Sequence, residues 1–186
     1  YIVSNRAVLS TTLVTSRGCP FKCIFCCTPH KLYRQRSSIN VVDEIEECCG
    51  MGIRIINLMD DVFNLTKKRV IELSREILKR NLKIEWTFTG RVDVMDREML
   101  EAAREAGLSR VSLGIESGSD ETLNFLQKGY TVSEIKKAVS LCKDLGISIY
   151  GFFILGSPYE TREQIKKTIE LAFELGIDIA QFYPLT

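Results

Sequence analysis

Five times along the chain, a residue suited to ending a helix is followed at once by a short apolar run. These are Met51-Gly52-Ile53, Arg80-Asn81-Leu82, Ala106-Gly107-Leu108, Leu145-Gly146-Ile147 and Leu175-Gly176-Ile177. Glycine, or asparagine in its place, fits the left-handed backbone position that closes a helix. The runs that follow predict strands over 53–58, 84–89, 110–114, 148–155 and 179–182, with an earlier first strand over 12–15. The segments between them carry a 3.6-residue apolar stripe, as at Val70, Ile71, Ser74, Ile77 and Leu78, or at Ile135, Ala138, Val139, Cys142 and Leu145. Thr131-x-x-Glu134 and Thr161-x-x-Gln164 match the capping box that starts a helix. Strands alternating with helices at this spacing imply parallel pairing through right-handed crossovers. A complete eight-unit barrel takes ~250 residues, whereas this chain has 186. The expected fold is therefore α/β: a partial (β/α)6 TIM-like barrel, open, with parallel strands. An open doubly wound sheet is its rival.

Composition sets the outer limits. Lys and Arg number 25 against 24 Asp and Glu, so no net field gathers nucleic acid or an anionic membrane, and a dedicated nucleic-acid binder is disfavoured. The longest apolar stretch, 149–155, is far short of the ~20 residues of a spanning helix, and no signal segment opens the chain. A cytoplasmic location is expected. The chain starts at Tyr1 and stops at Thr186 without a change in composition, which reads as a fragment: one core domain over 1–186 with flanking domains absent. Seven cysteines, an odd number, with no secretory signal, point to metal ligation or reduced thiols rather than disulfides.

Chemistry-bearing residues cluster just after the expected strands. The cysteine loop follows the first, Asp60-Asp61 the second, Arg91-x-Asp93 the third, Glu116-Ser117 the fourth, Gly156-Ser157-Pro158 the fifth and Pro184 the sixth. All would project from the C-terminal rim, where barrels of this type hold their active sites. The loop itself, Cys19-Pro-Phe-Lys-Cys23-Ile-Phe-Cys26, has C-x3-C-x2-C spacing that lets three thiolates converge on a metal centre. Iron-sulfur clusters are commonly held by four cysteines, so three would leave one iron of a 4Fe-4S cube open to another ligand. From spacing alone, a zinc site of Cys19, Cys23, Cys26 and His30 in a structural or interaction module also stands, because zinc accepts a Cys3His tetrahedron. Cys27 reads as a thiol beside the centre. Cys48, Cys49 and Cys142 fall on helix stripes and read as small core residues.

This loop resembles the signature of the radical S-adenosylmethionine (SAM) superfamily. The likeness extends through Arg17-Gly18-Cys19-Pro20-Phe21, Tyr33-Arg34-x-Arg36-Ser37, Asp60-Asp61-x-Phe63, Arg91-Val92-Asp93, Gly114-Ile115-Glu116-Ser117-Gly118-Ser119, Lys128-Gly129 and Gly156-x-Pro158-x-Glu160-Thr161. These look like the branch that often carries a cobalamin-binding domain. The short lead-in leaves no room for a cobalamin fold, so that cofactor is left open only for a parent protein.

The resemblance implies a 4Fe-4S cluster on Cys19, Cys23 and Cys26, SAM as cosubstrate, and reductive cleavage to a 5′-deoxyadenosyl radical. It also implies an electron donor such as flavodoxin or ferredoxin. It places Asp60 toward the cosubstrate's ammonium, whereas the residues alone also allow Asp60 and Asp61 to cap the helix that begins near Lys67 or to be solvated. Arg91 suits a carboxylate but can equally pair with Asp93. Glu116, closing an apolar strand, suits hydrogen bonds to ribose hydroxyls or to the amino acid group. Gly151 and Gly156 would let backbone approach the adenine, with packing relief as the alternative for Gly151, and Phe25 would cover the adenine or shield the cluster. The reaction subtype and substrate are not chosen by these residues. The open sheet edge offers a site of association with another chain.

Overall fold

The computed structural model describes residues 9–27 and 32–185 in full, together with the backbone of 2–3 and 6–7. Its centre is a six-stranded sheet of β1 (Ser10–Leu13), β2 (Ile55–Leu58), β3 (Glu85–Gly90), β4 (Leu108–Glu116), β5 (Ser148–Leu155) and β6 (Ile179–Pro184). The strands lie in chain order, every neighbouring pair is parallel, and β1 is not hydrogen-bonded to β6. The sheet is an open partial barrel, as the alternation of strands and helix stripes predicts. Two short antiparallel pairs add to it: Ile2–Val3 with Arg6–Ala7, and Ser16–Arg17 with Arg34–Gln35.

The helices are α1 (Ser38–Gly50), α2 (Lys67–Lys79), α3 (Arg97–Glu105), α4 (Asp120–Phe125), α5 (Val132–Asp144) and α6 (Arg162–Leu175). Each begins on a side-chain cap, from Ser37, Thr66, Asp96, Ser119, Thr131 and Thr161 in turn, whose oxygen accepts a backbone N–H of the first turn. Both capping boxes form. At the other ends, Gly52, Asn81, Gly107, Gly146 and Gly176 all have positive φ. Gly107 has a second reason to be glycine, since a Cβ there would lie 2.2 Å from the Ile84 carbonyl oxygen.

The core fills the space between the helices and the outward sheet face. Phe63, Trp86 and Phe88 pack with ring centroids 5.1 to 6.0 Å apart. Cys48 and Cys142 are buried and Cys49 packs against the core, as their stripes require. Burial alone pushes the Cys142 thiol up to about 12. No helix among the described residues is long and apolar enough to cross a membrane.

The first strand sits two residues earlier than its apolar pattern suggests. Thr15, expected inside it, is drawn out of the ladder because its N–H donates to Asp60 and its carbonyl accepts from Arg36. That departure fixes the neck of the cysteine loop.

Candidate functional site

The loop carrying the thiols is closed at its base by the Ser16–Arg17 and Arg34–Gln35 pair. Thr15 donates to Asp60 through its N–H at 2.6 Å and its hydroxyl at 2.5 Å, and the Ser16 hydroxyl donates to the same carboxylate at 2.6 Å. Asp61 accepts the Gly18 N–H at 2.8 Å, so the two aspartates after β2 both hold the loop's entry. Thr66, not an aspartate, caps α2. Higher in the loop, the Ile24 N–H donates to the Leu126 carbonyl at 3.2 Å and the Cys26 N–H to that of Cys23 at 3.2 Å.

Arg91 faces this loop from the end of β3. Its guanidinium lies 3.5 Å from the Phe21 ring centroid, donates to both Asp93 oxygens at 2.9 and 3.0 Å, and reaches the Cys23 Sγ at 3.7 Å. It also donates to the Lys128 carbonyl. Pairing with Asp93 and proximity to the thiol loop therefore occur together. Burial would lower the Arg91 pKa, but Asp93 outweighs it and the guanidinium stays charged.

Glu116 terminates β4 with φ of 65°, a left-handed value uncommon for a residue with a side chain, at a register shift in its pairing with β5. The turn brings its carboxylate inside the rim, where Lys128 Nζ donates at 2.9 Å. Lys128 lies 5.4 Å from the Phe25 ring centroid and 5.3 Å from that of Tyr130. The Tyr130 hydroxyl donates to the Gly114 carbonyl. Burial would lower the Lys128 pKa, yet the Glu116 carboxylate, with Tyr130 and Cys23 adding to it, raises it above the ordinary lysine value. Burial also raises the Tyr130 phenol.

Phe25, Arg91 and Glu116 are thus gathered around Lys128, beside Cys23. Asp60 lies at the neck of the loop, its oxygens turned to Thr15 and Ser16. A Cβ on Gly151 would meet Ile177, Ile115 and Phe153 at 2.6 to 3.0 Å, so core packing already demands glycine there. Gly156, with φ of 82° and open space beside it, stands on the rim with its N–H donating to Glu160 at 2.7 Å. His30 lies outside the described residues.

Sequence reasoning gave no site role to Phe21, Lys128 or Tyr130. Lys128-Gly129 was legible only as a motif, because the Glu116 partnership crosses twelve residues of chain.

The donor set fits an iron-sulfur centre. Cys19 and Cys23 are half-buried and Cys26 is exposed, all three are free thiols on one clamped loop, and two cations face them. Among the described residues, no three His, Cys, Asp or Glu side chains are drawn together as a preformed metal site.

The family model described as the radical SAM superfamily matches residues 13–172. An uncharacterized methyltransferase of Pyrococcus horikoshii is 40% identical over 156 residues, covering 82% of this chain and 34% of its own. The anaerobic magnesium-protoporphyrin IX monomethyl ester cyclase of Rubrivivax gelatinosus is 37% identical over 169 residues, covering 88% and 30%. Among solved structures, the radical SAM methyltransferase TsrM from Kitasatospora setae, seen with tryptophan and a SAM analogue, superposes with a TM-score of 0.86 at 25% identity, covering 93% of this chain and 35% of its own. The chain spans about a third of the length of these relatives.

Proposed function

The chain belongs to the radical SAM superfamily, and from that premise we propose that it is a core domain holding a 4Fe-4S cluster on Cys19, Cys23 and Cys26 and cleaving SAM reductively. The observation that carries this reading is the meeting of the three-thiol loop with Arg91, Lys128 and Glu116 on one rim. When bound, the cluster supplies one electron to SAM, whose sulfonium–C5′ bond then breaks to give methionine and a 5′-deoxyadenosyl radical.

The chain's own residues bind and orient. Cys19, Cys23 and Cys26 would supply three thiolates to the cluster and, being three, would leave one iron open to the cosubstrate. Glu116 offers a carboxylate to an ammonium or to ribose hydroxyls, and Arg91 and Lys128 offer cations to the methionine carboxylate. In the absence of cosubstrate, Lys128 neutralises Glu116, so binding exchanges one charge partner for another. Phe25 supplies an apolar cover, and Gly156 leaves room for adenine at the end of β5. Charge stabilisation inside a water-poor rim is the protein's contribution.

The family match gives no support to the Cys3His zinc module. TsrM has been solved with cobalamin and a 4Fe-4S cluster, and cobalamin use is extended here only to a longer parent. A flavodoxin or ferredoxin would supply the electron. The test is anaerobic reconstitution followed by iron and sulfide analysis. We expect equal iron and sulfide, and 5′-deoxyadenosine on addition of SAM and dithionite. A colourless protein with stoichiometric zinc and no iron uptake would overturn the proposal.

A further inference from the structure

The cysteine loop has two stems, and one buried ion pair touches both. Asp60 Oδ1 accepts from the Thr15 N–H, and Oδ2 accepts from the Thr15 and Ser16 hydroxyls. Behind the carboxylate stands Arg69 of α2, with its Nη2 at 3.7 Å from Asp60 Oδ2 and the two side chains 5% and 0% exposed. Arg69 Nη2 donates to the Thr15 carbonyl at 3.1 Å and hydroxyl at 2.5 Å, while Nη1 donates to the Arg36 carbonyl at 3.2 Å. The Arg36 N–H closes the circuit onto the Thr15 carbonyl at 3.0 Å. Thr15 is the entry to the loop and Arg36 its exit.

We infer that Asp60 and Arg69 form an ionic staple that positions the thiol loop, so that Asp60 acts through the loop rather than on the cosubstrate. For a direct contact with an ammonium, Asp60 would have to release donors that already occupy both of its oxygens, and its side chain has no exposed surface. Burying two charges is costly unless each is paired and hydrogen-bonded, and here the bonds converge on the two residues where the loop leaves the barrel. Arg69 Nε is buried with no hydrogen-bond partner among the described residues, so the guanidinium is held in place by the bonds its two Nη atoms make. A small rotation at the neck becomes a larger displacement at Cys23 and Cys26, so the staple sets the geometry available to the three thiolates. This role rests on the cluster-binding reading above.

The test uses Asp60→Asn, Arg69→Met and their double variant, with two measurements. In metal-free protein, amide hydrogen exchange at Thr15 and Arg36 should accelerate at least tenfold in each single variant while a central-strand amide such as Val111 stays protected. In reconstituted protein, the change that SAM causes in the electron paramagnetic spectrum of the reduced cluster should weaken in both single variants. The double variant should be no worse than the more affected single. If either variant is unfolded by circular dichroism, Arg69→Lys is measured instead. Lysine keeps the charge but cannot serve the Thr15 and Arg36 carbonyls together, and it should give an intermediate acceleration. Loss of the SAM response in Asp60→Asn alone, with Arg69→Met and both exchange rates unchanged, would return Asp60 to a direct cosubstrate contact. Unchanged exchange in both variants would overturn the staple. Failure of the unsubstituted protein to take up iron would overturn the cluster reading, and the exchange rates would still decide the staple.

Discussion

Lys128 Nζ lies 2.9 Å from Glu116 Oε1, and the two side chains retain only 6% and 8% of their exposure. Surface pairs such as Lys166 with Glu170 are worth little because water and salt screen them. The buried pair instead neutralises two charges at the rim, and each is held by a further contact: Glu116 by the turn that ends β4, Lys128 by the faces of Phe25 and Tyr130.

Removing one partner should cost more than removing both. Lys128→Met leaves the Glu116 carboxylate buried without a counter-charge, for which about 3–5 kcal/mol is typical. The Lys128→Met, Glu116→Gln double variant should recover a large part of that loss. A double-mutant cycle by urea denaturation of the metal-free protein measures the coupling. Additive effects would show that the two side chains do not interact in solution.

The same pair, with Tyr130, predicts an alkaline weakness. Lys128 and Tyr130 both bind their proton more tightly when folded. Their ordinary values lie near about 10, so the folded state holds extra protons only above that pH. Stability should therefore be flat with respect to these groups at neutral pH and fall as pH rises beyond about 10. Melting temperatures followed from pH 8 to 11 test this, and Tyr130→Phe should make the decline shallower.

Cluster assembly should separate the cysteines into two classes. Cys19, Cys23 and Cys26 share the loop, whereas Cys48 and Cys142 are buried in helices and Cys49 packs against the core. Alanine at any of the first three should lower the iron content of anaerobically reconstituted protein, and alanine at the other three should leave it intact. Full iron content in Cys23→Ala would remove the assignment.

Much of this architecture could be read from residues because its signals are local. Asn81 ends α2 through its own tolerance of positive φ, and Thr131 starts α5 through a bond to Glu134 three residues on. The site is less legible because its relationships are tertiary. Asp60 and Asp61 looked free to meet a ligand or cap a helix. Their partners Thr15, Ser16 and Gly18 lie more than forty residues away, and no periodicity connects them. Arg69 sat among the polar residues of an amphipathic helix, with nothing in its neighbours to show that it points inward.

The last prediction concerns the join between loop and barrel. Arg91 is stacked on Phe21, paired with Asp93 and bonded to the Lys128 carbonyl, so it joins the end of β3 both to the cysteine loop and to the segment after α4. Arg91→Lys keeps the charge but loses the planar fork that serves several acceptors at once, and it presents less surface to the Phe21 ring. The fold itself should survive, because Arg91 lies outside the Phe63, Trp86 and Phe88 core. We expect a decrease in stability of about 1–3 kcal/mol, in the range for a broken hydrogen bond to a charged group, together with weaker SAM binding at preserved iron content. Urea denaturation and equilibrium dialysis on reconstituted protein measure the two effects. If SAM affinity is unchanged while stability falls, Arg91 is confined to the Asp93 pairing and the methionine carboxylate must be met by Lys128 alone.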